Sequence, residues 1–258
     1  MKSTSAPPKW IKPQLTRLVD EAPQGPGWLH EIKYDGYRMH ARIDSGRVKL
    51  LTRTGLDWSH RYKRTIQALS ALMVRSAYID GELCALNGDG VPAFSRLQAA
   101  MDEGRTDQLI FFAFDLLHLN GESTAKQPLI KRKERLQRVF KWEISGLRYS
   151  EHVAGDGPRF RQHACQLGLE GVISKRADQP YVPGDRGIWV KSKCLNREEF
   201  VVTTAAAAHD SSHRCISARS NRSNPVGGPL RQLAVRPVGG AKTADILVLV
   251  WGPRSRHR

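Results

Sequence analysis

Glu31-Ile32-Lys33-Tyr34-Asp35-Gly36-Tyr37-Arg38 is the stretch on which the reading of this chain turns. Trp28 to Lys33 has the pattern of a strand, Asp35-Gly36 marks a tight turn, and Tyr37 to Ile43 resumes as a strand. A lysine therefore stands at a strand end, exposed by the turn after it, with a carboxylate and a guanidinium a few residues away. Lysine is a nucleophile only when some of it is neutral, and nearby cations or desolvation lower its pKa. By spacing alone, a surface lysine beside a hairpin is the stronger reading.

Outward from this point the chain alternates strands with a few helices. Ser45-Gly46 signals a hairpin, with Arg47 to Thr52 as the return strand. Helical spacing from Arg61 to Leu72 puts Ile66, Leu69 and Leu72 on one face. Ala77 to Leu86 reads as a strand ended by Asn87-Gly88-Asp89-Gly90, and Leu109 to Leu117 as a buried strand. Leu129 to Phe140 predicts a basic amphipathic helix. Pro158 to Leu167 predicts another, with Pro158 in the first turn and Gly168 just past the end. Glu170 to Lys175 and Ile188 to Lys193 read as short strands around a Pro/Gly loop at 178–187, and residues 1–27 as an irregular lead-in.

Composition narrows the class. The 258 residues are 40% hydrophobic, enough for one large core or two modest ones. No apolar run approaches the ~20 residues a bilayer span needs, and no apolar segment follows Lys2 as in a secretory signal. Four cysteines without a CxxC pair point to reduced cytosolic thiols rather than a zinc site or disulfides. The expected location is the cytoplasm. A net charge of +16 favours a polyanionic partner, nucleic acid ahead of an anionic membrane surface.

The Lys33 stretch resembles motif I, KxDGxR, of the covalent nucleotidyltransferase superfamily of DNA ligases, RNA ligases and capping enzymes. Further motifs of that family follow in order. Arg53-Thr54-Gly55 resembles motif Ia, Ile79-Asp80-Gly81-Glu82-Leu83 motif III, and Phe112-Ala113-Phe114-Asp115-Leu116-Leu117 motif IIIa. Glu170-Gly171-Val172-Ile173-Ser174-Lys175 resembles motif IV and Trp189-Val190-Lys191-Ser192-Lys193 motif V. Tyr34 to Arg38, Phe114 to Gly121, and Lys175-Arg176-Ala177-Asp178 with Tyr181 look most like bacterial LigD-type ligases.

The resemblance implies an ATP-dependent DNA ligase in which Lys33 attacks the α-phosphorus of ATP and carries AMP as a phosphoramidate. Glu31 would lie beside the adenine and Phe114 would stack on it, although a core Phe in a buried strand is an equal reading. Arg38 would contact the ribose or the nick phosphate, and Arg53 the nucleotide or DNA phosphate. Glu82 would meet the ribose or metal region and, with Glu170, hold Mg²⁺. Lys175, Lys191 and Lys193 would face the phosphates, and strand alternation points Lys191 and Lys193 to one face. Their charge is expected to depress the pKa of Lys33. The implied fold is α+β: an ATP-grasp-like nucleotidyltransferase core of two packed, mostly antiparallel sheets with flanking helices. The implied partner is nicked duplex DNA, with a Ku-like end-binding protein and separate polymerase and nuclease modules. A monomer and no membrane association are expected.

Near residue 200 the composition breaks. Residues 201–258 hold nine basic residues, eight of them Arg, against two acidic ones. The family carries an OB-fold with motif VI here, but after Glu198 to Val202 that pattern stops. Residues 203–243 read as disordered or poorly packed, and only Asp245 to Trp251 as a strand. The tail reads as an out-of-frame OB-fold remnant or as a basic DNA-binding tail. The expected domains are thus 28–200 for adenylation and 201–258 for the remnant. The alternatives are an RNA ligase or capping-type transferase, and a DNA-binding remnant with impaired catalysis.

Overall fold

A computed structural model describes residues 5–184 and 186–194 in full, and the backbone of four strands beyond them. The chain divides into two compact units, Met1–Leu195 and Asn196–Arg258.

The first unit contains β1 (Arg17–Leu18), β2 (Gln24–Ile32), β3 (Tyr37–Asp44), β4 (Arg47–Thr52), α1 (Lys63–Ser70), β5 (Ser76–Cys84) and α2 (Phe94–Asp102). It continues with β6 (Ile110–Leu119), β7 (Glu122–Ser123), α3 (Leu129–Val139), β8 (Leu147–Tyr149) and β9 (Val153–Asp156). The last elements are α4 (Gly157–Gln166), β10 (Gly171–Arg176) and β11 (Trp189–Lys193). One sheet has the order β1-β11-β10-β2-β9, the other β4-β3-β5-β6-β7 with β8 beside β6. Within these two sheets only β1 with β11 and β6 with β8 run parallel, so both are mostly antiparallel.

Alternation along the strands explains the layers. Met39, Ala41 and Ile43 of β3 and Ala77, Ile79 and Leu83 of β5 turn one way, into a core with Leu69 of α1, Leu97 of α2 and Leu136 of α3. Arg38, His40, Asp80 and Glu82 turn the other way, between the sheets. A second cluster there, Leu51, Tyr78, Phe114, Leu117, Tyr181 and Trp189, draws on both sheets. Under the first sheet, Ala164 of α4 packs with Ala22, Leu169 and Val172.

Three expectations need correction. The lead-in is not wholly irregular: Arg17 and Leu18 pair with Val190 and Lys191, and β2 begins at Gln24. Asp35-Gly36 does not close a hairpin, because β2 and β3 belong to different sheets. The segment after Ile32 crosses between sheets, and a Cβ on Gly36 would collide with Leu83 O and lie 2.7 Å from Cys84 Sγ. Glycine is needed there for close approach of the backbone. Finally, Cys165 and Cys194 form a disulfide, with Cα atoms 5.3 Å apart. They are 29 residues apart in sequence, but the fold sets the end of α4 beside the end of β11.

Closing a loop of that length restricts the unfolded chain by about 3–4 kcal/mol. Reduction is expected to lower the melting temperature by roughly 10 °C. An unchanged melting curve after complete thiol alkylation under reducing conditions would remove this cross-link from the account of stability. Cys84, in β5, is a buried free thiol.

Beyond the first unit lie β12 (Phe200–Thr204), β13 (Cys215–Ser220), β14 (Gln232–Val235) and β15 (Ile246–Leu249), in the order β12-β13-β15-β14. β15 falls inside the strand expected at Asp245–Trp251, whereas β13 and β14 lie in the stretch read as disordered. The rest of that reading, including the missing motif VI, lies outside the described residues.

Candidate active site

Lys33 stands where the chain leaves the first sheet for the second. Its backbone N–H donates to Gly171 O at 2.9 Å, which ties the crossing to the start of β10. A Cβ on Gly171 would strike Ser192 O, so a side chain here would push β10 away from β11. Asp35 of the crossing accepts at 3.1 Å from Phe94 N and so caps α2, a helix the sequence reading missed.

A cleft of about 320 Å³ opens beside Lys33, within the range of small-molecule sites. Glu31, Lys175 and Lys191 enter it from the first sheet; Arg38, Glu82 and Phe114 enter from the second. Arg53, just past β4, stands at its edge, and the N-terminal segment adds Leu15 and Thr16. Glu170 and Lys193 reach the same point through ion pairs: Lys33 Nζ contacts Glu170 Oε2, and Lys193 Nζ lies 3.7 Å from Oε1. The nine other residues named from the sequence therefore gather around Lys33.

The cations form a band along the cleft. Lys191 and Lys193 share one face of β11, as alternation requires. Burial and the neighbouring Lys33, Lys193 and Arg53 lower the pKa of Lys191, which eases its packing among like charges. Lys33 itself rests against the Glu170 carboxylate. An ammonium held that way is not a nucleophile, so the Glu170 pair must open before any attack.

Two predicted residues are more committed than expected. Arg38 forks onto Asp80, Nε to Oδ1 at 3.0 Å and Nη2 to Oδ2 at 2.6 Å, and donates from Nη1 to Gln14 O at 2.7 Å. Asp80 is fully buried and also accepts from Tyr181 Oη at 2.8 Å; burial alone would raise its pKa, but Arg38 and His40 outweigh it and hold the carboxyl far below the usual carboxylate range. Lys175 is 2% exposed, pairs with Glu31 Oε2 at 2.7 Å and lies 4.3 Å from the ring centres of both Phe114 and Trp189. Phe114 is 8% exposed, so it both belongs to the core and lines the cleft.

Glu82 is the opposite case. Burial, only partly offset by Arg38 and Lys33, pushes its pKa up to about 8. Between about pH 4.5 and 8 the folded protein then binds the extra proton, so stability falls as pH rises through that window. Glu82→Gln removes this slope. Its melting temperature relative to the parent is expected to rise from pH 5 to pH 9 in the ligand-free protein. A difference that is flat with pH would contradict the assignment.

The sequence reading missed Lys133, Asp80, Trp189 and Tyr34. Tyr34, inside the crossing, stacks on Phe112 with ring centres 4.3 Å apart. Asp80 lay within a quoted motif, and alternation with Glu82 could have flagged it. Lys133 carried no signal, because a basic helix reads as solvated.

Comparison with known proteins adds an independent line. The family model for the ATP dependent DNA ligase domain matches residues 11–193. The multifunctional non-homologous end joining protein LigD of Pseudomonas aeruginosa is 40% identical over 196 residues, 76% of this chain and 23% of that protein. Its counterpart from Mycobacterium tuberculosis is 35% identical over 176 residues, 68% and 22% of the two lengths. The chain thus spans about a quarter of the length of these curated relatives. A solved structure of mycobacterial DNA ligase D complexed with ATP and MES superposes with a TM-score of 0.65 at 33% identity, covering 74% of this chain and 63% of that one. The motif order, the two-sheet cleft and these matches agree: the chain belongs to the ATP-dependent DNA ligase domain family.

Proposed function

We propose that this chain seals nicks in duplex DNA through a lysyl-AMP intermediate, in double-strand-break repair. The observation that supports this most is the convergence of Lys33 with Glu82, Glu170, Lys191 and Lys193 at one cleft. In the first step Lys33 Nζ separates from Glu170 and gives up a proton to solvent water. Its Nζ then attacks the α-phosphorus of ATP; the N–P bond forms, the bond to pyrophosphate breaks and pyrophosphate leaves with the electron pair. Lys191, Lys193 and Arg53 offset the negative charge on the phosphates, which is the main demand of such transfers. Glu31 and Lys175 flank the adenine, which packs against Phe114. Arg38, braced by Asp80, offers its remaining N–H to the ribose or to the nick phosphate. AMP then passes to the 5′-phosphate of the nick, and the 3′-hydroxyl displaces it.

Glu82 and Glu170 fit Mg²⁺. They are two oxygen donors at one cleft, and the charge of Glu170 helps to raise the pKa of Glu82. Among the described residues no group of three or more His, Cys, Asp or Glu could hold a metal, so water and phosphate oxygens would complete the shell. Bound there, Mg²⁺ supplies charge neutralisation at the α-phosphate.

Among the described residues no helix is long and apolar enough to cross a membrane. The partners in this reading are nicked DNA, a Ku-like end-binding protein and separate polymerase and nuclease modules. Residues 201–258 are read as a degenerate OB-fold remnant or basic tail, without the element that orients pyrophosphate. Protein cleared with pyrophosphate, mixed with ATP and Mg²⁺ and analysed by mass spectrometry should carry AMP on Lys33. It should then seal nicked DNA in preference to nicked RNA. No adduct sinks the enzyme reading, and a preference for RNA moves it to RNA ligases.

A further inference from the structure

Lys133 has no part in the chemistry above, yet it is one of the most deeply buried charges in the fold. It projects from α3 with no exposed side-chain surface. Its Nζ lies 2.9 Å from Glu31 Oε1, donates to Ser150 O at 2.6 Å and sits 4.5 Å from the centre of the Tyr149 ring. The other oxygen of Glu31 pairs with Lys175, which is wedged between Phe114 and Trp189. Glu31 thus lies between two cations at 2% exposure, on the wall of the cleft.

We propose that Lys133 is a positioning residue for base selection: it keeps the Glu31 carboxylate ionised and oriented as an acceptor for the exocyclic amine of a 6-aminopurine. The proposal rests on the reading of the cleft as an ATP site. A buried carboxylate oxygen has two lone pairs, and Lys133 takes at most one of those on Oε1. Burial alone would protonate Glu31; Lys133 and Lys175 reverse this and lower its pKa. A carboxylate there can only accept, so it suits the amine of adenine and repels the 6-oxo oxygen of guanine. Without Lys133, Glu31 keeps one cation, Lys175, and the Ser150 hydroxyl at 3.3 Å, and its Oε1 is left beside the Ser150 carbonyl with no cation. It then turns toward Lys175 or takes up a proton, and a protonated Glu31 can donate to a 6-oxo group.

A purely structural role for Lys133, tying α3 to the segment after β8, predicts lower stability with no change in base preference. The test is Lys33 adenylation by ATP and by GTP in the full chain, with the parent protein measured first. If the parent forms no adduct, the adenylation reading fails and the base proposal is judged on ATP and GTP binding measured by calorimetry; absence of ATP binding overturns both. In Lys133→Met the ratio of kcat/KM for ATP over GTP is expected to fall about tenfold or more, mainly through KM for ATP. Glu31→Gln should lose a similar ratio, and adding Lys133→Met to it should lose little more. An unchanged ratio in Lys133→Met with a lowered melting temperature overturns the proposal, as does a full second loss in the double variant. If Lys133→Met does not fold, Lys133→Gln and Glu31→Gln carry the decision, and an unchanged ratio in either overturns it.

Discussion

Lys33→Ala is expected to abolish AMP transfer to the protein, lowering self-adenylation by at least about 10⁴-fold, the scale on which loss of a catalytic nucleophile is felt. None of the surrounding cations can substitute. Lys175 is locked against Glu31 between two rings, while Lys191 lines the cleft wall on β11 and Lys193 lies beside Glu170. Lys33→Arg should fail equally, because a guanidinium stays protonated and cannot attack phosphorus. Stability should change by no more than about 1 kcal/mol, since Lys33 is partly exposed and loses a single ion pair. The measurement is transfer of label from α-³²P ATP to protein on a denaturing gel, beside a thermal melt. A labelled band in the folded Lys33→Ala protein would end the assignment of the nucleophile.

The second large effect concerns the fold. Asp115 in β6 and Arg132 in α3 are both fully buried and form a two-pronged pair, Nε to Oδ1 at 2.7 Å and Nη2 to Oδ2 at 2.9 Å. Arg132 also donates to Gln127 O at 2.6 Å and to Gln179 O at 3.1 Å, so it joins α3, β6 and the loop before β11. Asp115→Ala leaves a guanidinium without its counter-charge in a dry interior and is expected to cost about 3–5 kcal/mol. That corresponds to a fall of roughly 10 °C in melting temperature for a unit of this size. Replacing both partners with apolar residues of similar volume should recover most of the loss, because the desolvation cost disappears with the charges. Chemical denaturation of the two single variants and the pair checks this. If the double variant is as unstable as Asp115→Ala, the pair is not the cause.

Sequence pattern reached far here because the active site is written along strands. Alternation puts Lys191 and Lys193 on one face, and eight of the residues singled out along the motifs line one cleft, with Glu170 and Lys193 paired beside it. α3 shows the limit of such reading. Its basic pattern suggested a solvated face, but the buried stripe is Leu129, Arg132, Lys133 and Leu136, at the helical spacing that meets a neighbour. Whether a lysine at such a spacing faces water or a carboxylate depends on what packs against the helix. That partner, Glu31, lies about a hundred residues away in sequence.

What the sequence by itself determined is the set of residue types and their order: a lysine at a strand end, two carboxylates and a series of cations along successive strands. Local periodicity and residue type carry that information because each depends on a few neighbouring positions. The tertiary structure alone decided that Lys33 lies on a crossing between two sheets, that Cys165 meets Cys194, and that Arg38, Lys175 and Lys133 are committed to buried partners. Each of these depends on distance in space between segments remote along the chain, and on the removal of water that turns a nearby charge into a strong one.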